Sequence, residues 1–159
     1  MEFKSLGLGA IFGTIAWEIG KQIFSHFFKR HSDAADAKRK MLRDDIEGVA
    51  KLACDLNETA TSYYALPYDS DKAQELSRQI KAKIKTAGMK LHAVSVQLSE
   101  LNKPKIEVHY WTAYKQAATA HLDVKRSGVW PDDDSRLREI HRCAHYFHIS
   151  LNTARYACA

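Results

Sequence analysis

The stretch from Ser5 to Phe28 constrains this chain more than any other. From Leu6 to Trp17 it carries no charge, and the full stretch holds four of the seven glycines, at Gly7, Gly9, Gly13 and Gly20. In the interior of a helix in water each such residue costs about 1 kcal/mol relative to alanine. In a bilayer the same residues are useful, because small side chains four apart let helix backbones approach closely. Gly9-xxx-Gly13 has that spacing, with Ala10, Ala16 and Gly20 adding small surface nearby. The sequence therefore predicts an N-terminal membrane helix that self-associates.

Glu18 and Lys21 fall inside the window of about 20 residues that a bilayer-spanning helix needs. Three residues apart, they share a helical face and can pair, and ionisable groups within a membrane face a bundle interior or a water-filled path. That arrangement predicts an oligomer with a polar lumen. An amphipathic helix lying in the membrane interface and a buried helix of a soluble protein are the alternatives. A secretory signal peptide fits less well, since its basic region would be Lys4 alone and no small-residue cleavage site precedes Lys29.

A chain of 159 residues allows one modest helical domain besides the leader, so the expected division is a membrane segment over 1–30 and a helical body over 31–159. The net charge is +5, and much of the excess follows the apolar segment directly, at Lys29, Arg30, Lys38, Arg39, Lys40 and Arg43. Positive residues beside a first membrane segment stay in the cytoplasm, which predicts an inner-membrane protein with a cytoplasmic body and a cation cluster able to meet anionic lipid. A nucleic-acid track competes for the same cluster, but Asp33, Asp36, Asp44 and Asp45 interrupt it. Cys54, Cys143 and Cys158 are odd in number and lack CxxC spacing, which reads as reduced thiols rather than a disulfide frame or zinc knuckle.

The body reads as all-α. Ser32-Asp33 offers a cap for a new helix, although one continuous rod with the leader is equally open. Leu42, Ile46, Val49, Ala53, Leu56, Ala60 and Tyr63 then alternate at spacings of four and three until Pro67. The short connection predicts an antiparallel return over about 69–102, with a seam of Leu76, Ile80, Ile84, Ala87, Leu91, Val94, Leu98 and Leu101 that Gly88 weakens. Lys72, Arg78, Lys81, Lys83, Lys85 and Lys90 read as its solvated face, with RNA or lipid contact as the alternative. Pro104 is expected at the first turn of an aromatic helix over about 105–125, where Tyr110, Trp111 and Tyr114 oppose small alanines. A loop from Arg126 to Asp134 leads into the last helix, whose dipole the aspartates complement. The prediction is thus a membrane helix followed by an antiparallel four-helix bundle.

Site chemistry concentrates on the last helix. Beside its apolar seam of Leu137, Ile140, Ala144, Phe147, Leu151, Ala154 and Cys158 runs a polar stripe of Arg138, His141, His145, His148, Asn152 and Arg155. Structural packing through hydrogen bonds is one reading of this stripe. A metal site is another, but no acid completes a ligand set and no HExxH is present, so neither metal nor cofactor is predicted. The third is RNA cleavage, in which a histidine moves the 2′-hydroxyl proton while an arginine holds the phosphate. Arg136-xxxx-His141 fits the R-x4-6-H spacing of HEPN ribonuclease domains, as do Arg138 with His145 and Arg142 with His148. Leu137 stands where HEPN motifs carry a polar residue after the arginine.

On the leader, the helical body and the Arg136/His141 spacing, the chain resembles small HEPN-like membrane proteins of prokaryotic defence, the membrane accessory proteins found in some CRISPR systems. The resemblance implies homo-oligomerisation through the glycine face and perturbation of the inner membrane in anti-phage defence. A HEPN-like ribonuclease using Arg136 and His141 is one alternative, and a membrane-tethered scaffold for a cytosolic partner is another.

Overall fold

The computed structural model describes the backbone of residues 6–158 except 123 and 127, and the side chains from 32 onward together with 21, 25, 29 and 30. Among the described residues the chain is all-α, with helices α1 (Leu6–Tyr64), α2 (Asp71–Glu100), α3 (Val108–Thr119) and α4 (Ser135–Tyr156). Two compact units divide it, Met1–Arg39 and Lys40–Ala159.

In the first unit α1 runs without a break through Ser32 and Asp33, so these residues are exposed helix interior rather than a cap. Lys21, Lys29, Arg30, Lys38 and Arg39 are exposed too. Among the described residues no helix is long and apolar enough to cross a membrane, so the spanning helix expected over 1–30 finds no support there. The charges of Glu18 and Lys21 are the physical reason, because they cut the apolar window short. The side chain of Glu18 and the surroundings of Gly9, Gly13 and Gly20 lie outside the described residues.

The second unit is a helical bundle built on the predicted seams. All seven positions from Leu42 to Tyr63 on α1 are buried, and Tyr64 joins them. On α2, Ile80, Ala87, Leu91, Val94 and Leu98 are buried and Leu76, Ile84 and Leu101 half-buried. Thr59 on α1 meets Lys83 on α2 while Gly48 lies near Lys90, and Asn57 meets His141 on α4 while Glu47 pairs with Arg155. On each partner the numbers rise as those on α1 fall, so α2 and α4 both run antiparallel to it.

The ends of the helices follow from local chemistry. Pro67 disfavours helical geometry at Leu66, and α1 stops at Tyr64. Ser70 caps α2, its Oγ accepting from Ala73 N at 3.2 Å. At the other end Asn102 takes a left-handed φ of 51°, Lys103 N donates to Leu98 O at 2.9 Å and Asn102 N to Ser99 O at 3.2 Å. This is the Schellman arrangement, which asparagine tolerates because of its short polar side chain. Pro104 lies in the irregular stretch beyond it, and α3 begins at Val108 rather than at Lys105. Glu107, just before α3, makes no side-chain cap; its backbone N–H donates to Ser150 Oγ of α4 at 2.9 Å, which satisfies that buried hydroxyl.

Aromatic rings fill the space where α3 meets α4. Trp111 and Phe147 lie 5.2 Å apart between centroids, and Phe147 is fully buried. Three tyrosine hydroxyls then join α1 to the α3 region by donating to main-chain carbonyls: Tyr114 to Ala53 at 2.9 Å, Tyr64 to Ala118 at 3.1 Å and Tyr63 to Leu122 at 2.7 Å. Each hydroxyl would cost free energy if buried without an acceptor, so these bonds fix the register of the core as well as filling it.

Candidate functional site

Two cavities flank α4. The first is a cleft of about 350 Å3 between α1 and α4, lined by Cys54, Asn57 and Glu58 on one side and His141, His145 and His148 on the other. The spacing of the α4 residues explains the lining, since positions four and three apart share one helical face. Leu137, Ile140, Phe147 and Leu151 seat α4 in the core, which turns the histidine stripe to the rim. His141 Nδ1 lies 3.1 Å from Asn57 Oδ1. With the proton on Nδ1 the bond holds the ring in place and leaves the Nε2 lone pair free, the tautomer a general base requires.

The rest of the stripe lies along the same rim. His148 and Asn152 are half-buried, His145 and Arg138 exposed, and Arg155 reaches Glu47 on α1 at 3.5 Å. Ala144, expected in the seam, is half-buried at the cleft, while Cys143 and Ser150 are buried in addition to the expected residues. Cys143 donates to Glu139 Oε1 at 3.4 Å, and burial pushes its thiol pKa up, which disfavours a reactive thiolate. Cys54 is exposed, and all three cysteines are free. No group of three or more His, Cys, Asp or Glu among the described residues has the geometry to hold a metal ion.

The second cavity, of about 240 Å3, lies at the loop between α3 and α4 and contains Arg136. The two residues of the R-x4-H spacing are thus apart. Five positions on an α-helix turn through about 140° modulo a full turn, which aims Arg136 and His141 at different cavities. Asp134 captures Arg136 in a two-pronged contact, Oδ1 accepting from Nε at 2.9 Å and Oδ2 from Nη2 at 2.6 Å. The same Oδ1 caps α4 by accepting from Arg136 N at 2.8 Å. The side-chain hydrogen bonds from Arg136 hold the Asp134 carboxyl down at about 2, and the pKa of Arg136 is raised in return.

Arg136 also lies over the Trp130 ring, 3.9 Å from its centroid, and Trp130 stacks on Tyr64 at 4.0 Å with the planes 2° apart. The Trp130 backbone N–H donates to Tyr64 O at 3.0 Å, which ties the loop to the end of α1. Burial pushes the Tyr64 hydroxyl up to about 12, so it remains a donor to Ala118 at neutral pH. Arg126 completes the cluster, its guanidinium 4.4 Å from the Tyr63 ring and its Nη2 donating to Tyr63 O and Leu66 O at 3.2 and 3.1 Å. Both carbonyls belong to the last turn of α1 and its exit, where helical carbonyls lack the N–H donors of a following turn.

The sequence brought out His141, His145 and His148 but not Asn57, Cys54 or Glu58 opposite them. Arg126 and Trp130 were legible only as loop residues. On α2, Lys83 leaves the solvated face to donate to Thr59 Oγ1 at 2.9 Å and Asp55 O at 3.2 Å. No family model, no curated protein and no solved structure matches the chain.

Proposed function

We propose that this chain is a membrane-associated, self-assembling helical protein that perturbs the inner membrane, with its bundle on the cytoplasmic side. The observation that carries this reading is the run of exposed cations after the charge-free stretch. From Lys29 to Arg43, six Lys and Arg residues stand against Asp33 and Asp36 alone, and all six are exposed. Near an anionic membrane each such cation contributes about 1 kcal/mol. Because Glu18 and Lys21 shorten the apolar window, the leader belongs at the bilayer interface or in a short inserted oligomer, with Gly9 and Gly13 at the contact between copies. A place as effector or accessory protein in anti-phage defence rests on the resemblance to HEPN-like membrane proteins.

The test is flotation of the full chain with vesicles of phosphatidylglycerol or of phosphatidylcholine, followed by dye release. Binding to the anionic vesicles that weakens with salt, and leakage reduced by Gly9→Leu and Gly13→Leu, is the expected result. A protein that stays in the aqueous fraction with both vesicle types at low salt rejects the proposal.

One observation favours a second reading, RNA cleavage: the bond between His141 and Asn57 in a cleft with two further histidines. There His141 Nε2 would take the 2′-hydroxyl proton, and His145 or His148 would meet the phosphate. This version does not use Arg136, which within one chain lines the other cavity. Cleavage by the purified protein that is lost in His141→Ala and kept in Arg136→Ala supports it. Cleavage unaffected by His141→Ala rejects it.

A further inference from the structure

The second cavity carries charge that the bundle does not neutralise. Its lining includes His121, Lys125, Arg126, Trp130 and Arg136, and among the described residues no carboxylate lines it. Arg136 has Asp134 as counter-ion. For Arg126 no carboxylate contact exists among the described residues: Nη2 serves the Tyr63 and Leu66 carbonyls, while Nε and Nη1 are buried with no acceptor. Guanidinium carries five N–H donors, so the capping of α1 accounts for two and leaves three unused. Arg126 as a whole is half-buried and lies over the Tyr63 and Tyr64 rings, but buried donors without acceptors are rare because they do not recover what they lose on leaving water.

We infer that this cavity binds an oxyanion of the phosphate type, the phosphate group of a small molecule or inorganic phosphate itself. Three features select that class. Lys125 and Arg126 are adjacent in sequence and line the same cavity without a salt bridge between them and any acid among the described residues, so the site favours more than one negative charge. Arginine's fixed fork of donors suits a tetrahedral oxyanion. The volume of about 240 Å3 lies below the roughly 300–1,000 Å3 of clefts that enclose drug-sized ligands. Stacking of a nucleobase on Trp130 is also blocked, since Tyr64 stacks on one face at 4.0 Å and Arg136 lies over the ring at 3.9 Å. The pocket thus has room for the phosphate end of a ligand and few atoms more. Membrane association does not require this site, and the site stands whether or not the leader meets lipid.

The experiment is calorimetric titration of the full-length protein at fixed ionic strength, with inorganic phosphate, glycerol 3-phosphate and phosphatidylglycerol vesicles in separate arms. Saturable one-site binding of inorganic phosphate is expected, weakened about tenfold in Lys125→Gln and lost in Arg126→Gln, as befits removal of one charge-assisted hydrogen bond or more. Since Arg126 also caps α1, Lys125→Gln, on an exposed side chain, is the variant that decides if Arg126→Gln fails to fold. Glycerol 3-phosphate binding more tightly than inorganic phosphate supports the site and identifies an esterified ligand; the reverse order supports it and identifies the free ion. No saturation by about 10 mM phosphate, equal affinity in Lys125→Gln, or heat with vesicles alone overturns it.

Discussion

The two cavities beside α4 differ in what faces that helix, which is α1 at the cleft and the loop between α3 and α4 at the arginine pocket. At the cleft, α1 and α4 face each other directly and are linked at the rim by side chains alone, half-buried Asn57 to exposed His141 and Glu47 to Arg155. At the arginine pocket, the loop before α4 folds over the end of α1 and inserts Trp130 against Tyr64, with Arg126 and Arg136 placed around the rings. Polar groups at the cleft are free to exchange partners, whereas those at the pocket are held by buried aromatic surface and main-chain carbonyls. The buried ring and arginine contacts of the pocket should therefore carry more of the folding free energy than the side chains at the rim of the cleft.

The largest effect that sharpens this contrast comes from the core both cavities share. Phe147→Ala, at a fully buried position against Trp111 and Tyr114, is expected to cost about 3–5 kcal/mol in denaturant unfolding, and a cost below about 1 would mean that α4 is not seated as described. Next, Arg126→Gln removes charge-assisted bonds to Tyr63 O and Leu66 O and should cost about 1.5–3 kcal/mol in the same measurement. By contrast His141→Ala, on an exposed side chain, should change stability by no more than about 0.5 kcal/mol; a larger loss would erase the distinction between cleft and pocket.

Smaller effects probe the edges. Gly88→Ala on α2 is expected to stabilise by about 0.5–1 kcal/mol, because an added Cβ would lie 3.9 Å from Trp111 Nε1, in ordinary contact, while removing the conformational freedom of glycine from the unfolded chain. Acid titration tests the cap of α4. The Asp134 carboxyl is held at about 2, below the usual value near 4, so its contribution is complete above about 4 and is lost as pH falls through about 2. The melting temperature of wild type should therefore fall toward that of Asp134→Asn over this range and converge with it at the acid end. Parallel curves would show that the carboxylate contributes nothing.

Much of the bundle is legible along the chain because its seams are periodic. The positions from Leu42 to Tyr63 repeat at four and three, and burial follows that repeat without exception. Pro67, Ser70 and Asn102 mark boundaries through local chemistry that needs no tertiary partner. Pro104 misleads because a proline suited to a first turn is also suited to an irregular connection, and tertiary contact of Glu107 with Ser150 sets the start of α3 instead. The sites are harder to read. Asn57 looks like any polar residue on a heptad's outer side, and its partner lies 84 positions away. Arg126 and Trp130 sit in a loop with no period, where the only local signals were Gly128 and Pro131. Lys83 has the spacing of a solvent-facing cation, and nothing in its neighbours announces Thr59 across the interface.

The sandwiching of Trp130 between a phenol ring and a guanidinium gives the protein a built-in optical gauge. An indole in van der Waals contact with a charged group and a parallel ring has an emission set by both neighbours, so lifting the loop from the end of α1 alters its colour and intensity together. With only three tryptophans in the chain, replacing Trp17 and Trp111 by phenylalanine would leave a single indole reporting on the seating of that loop.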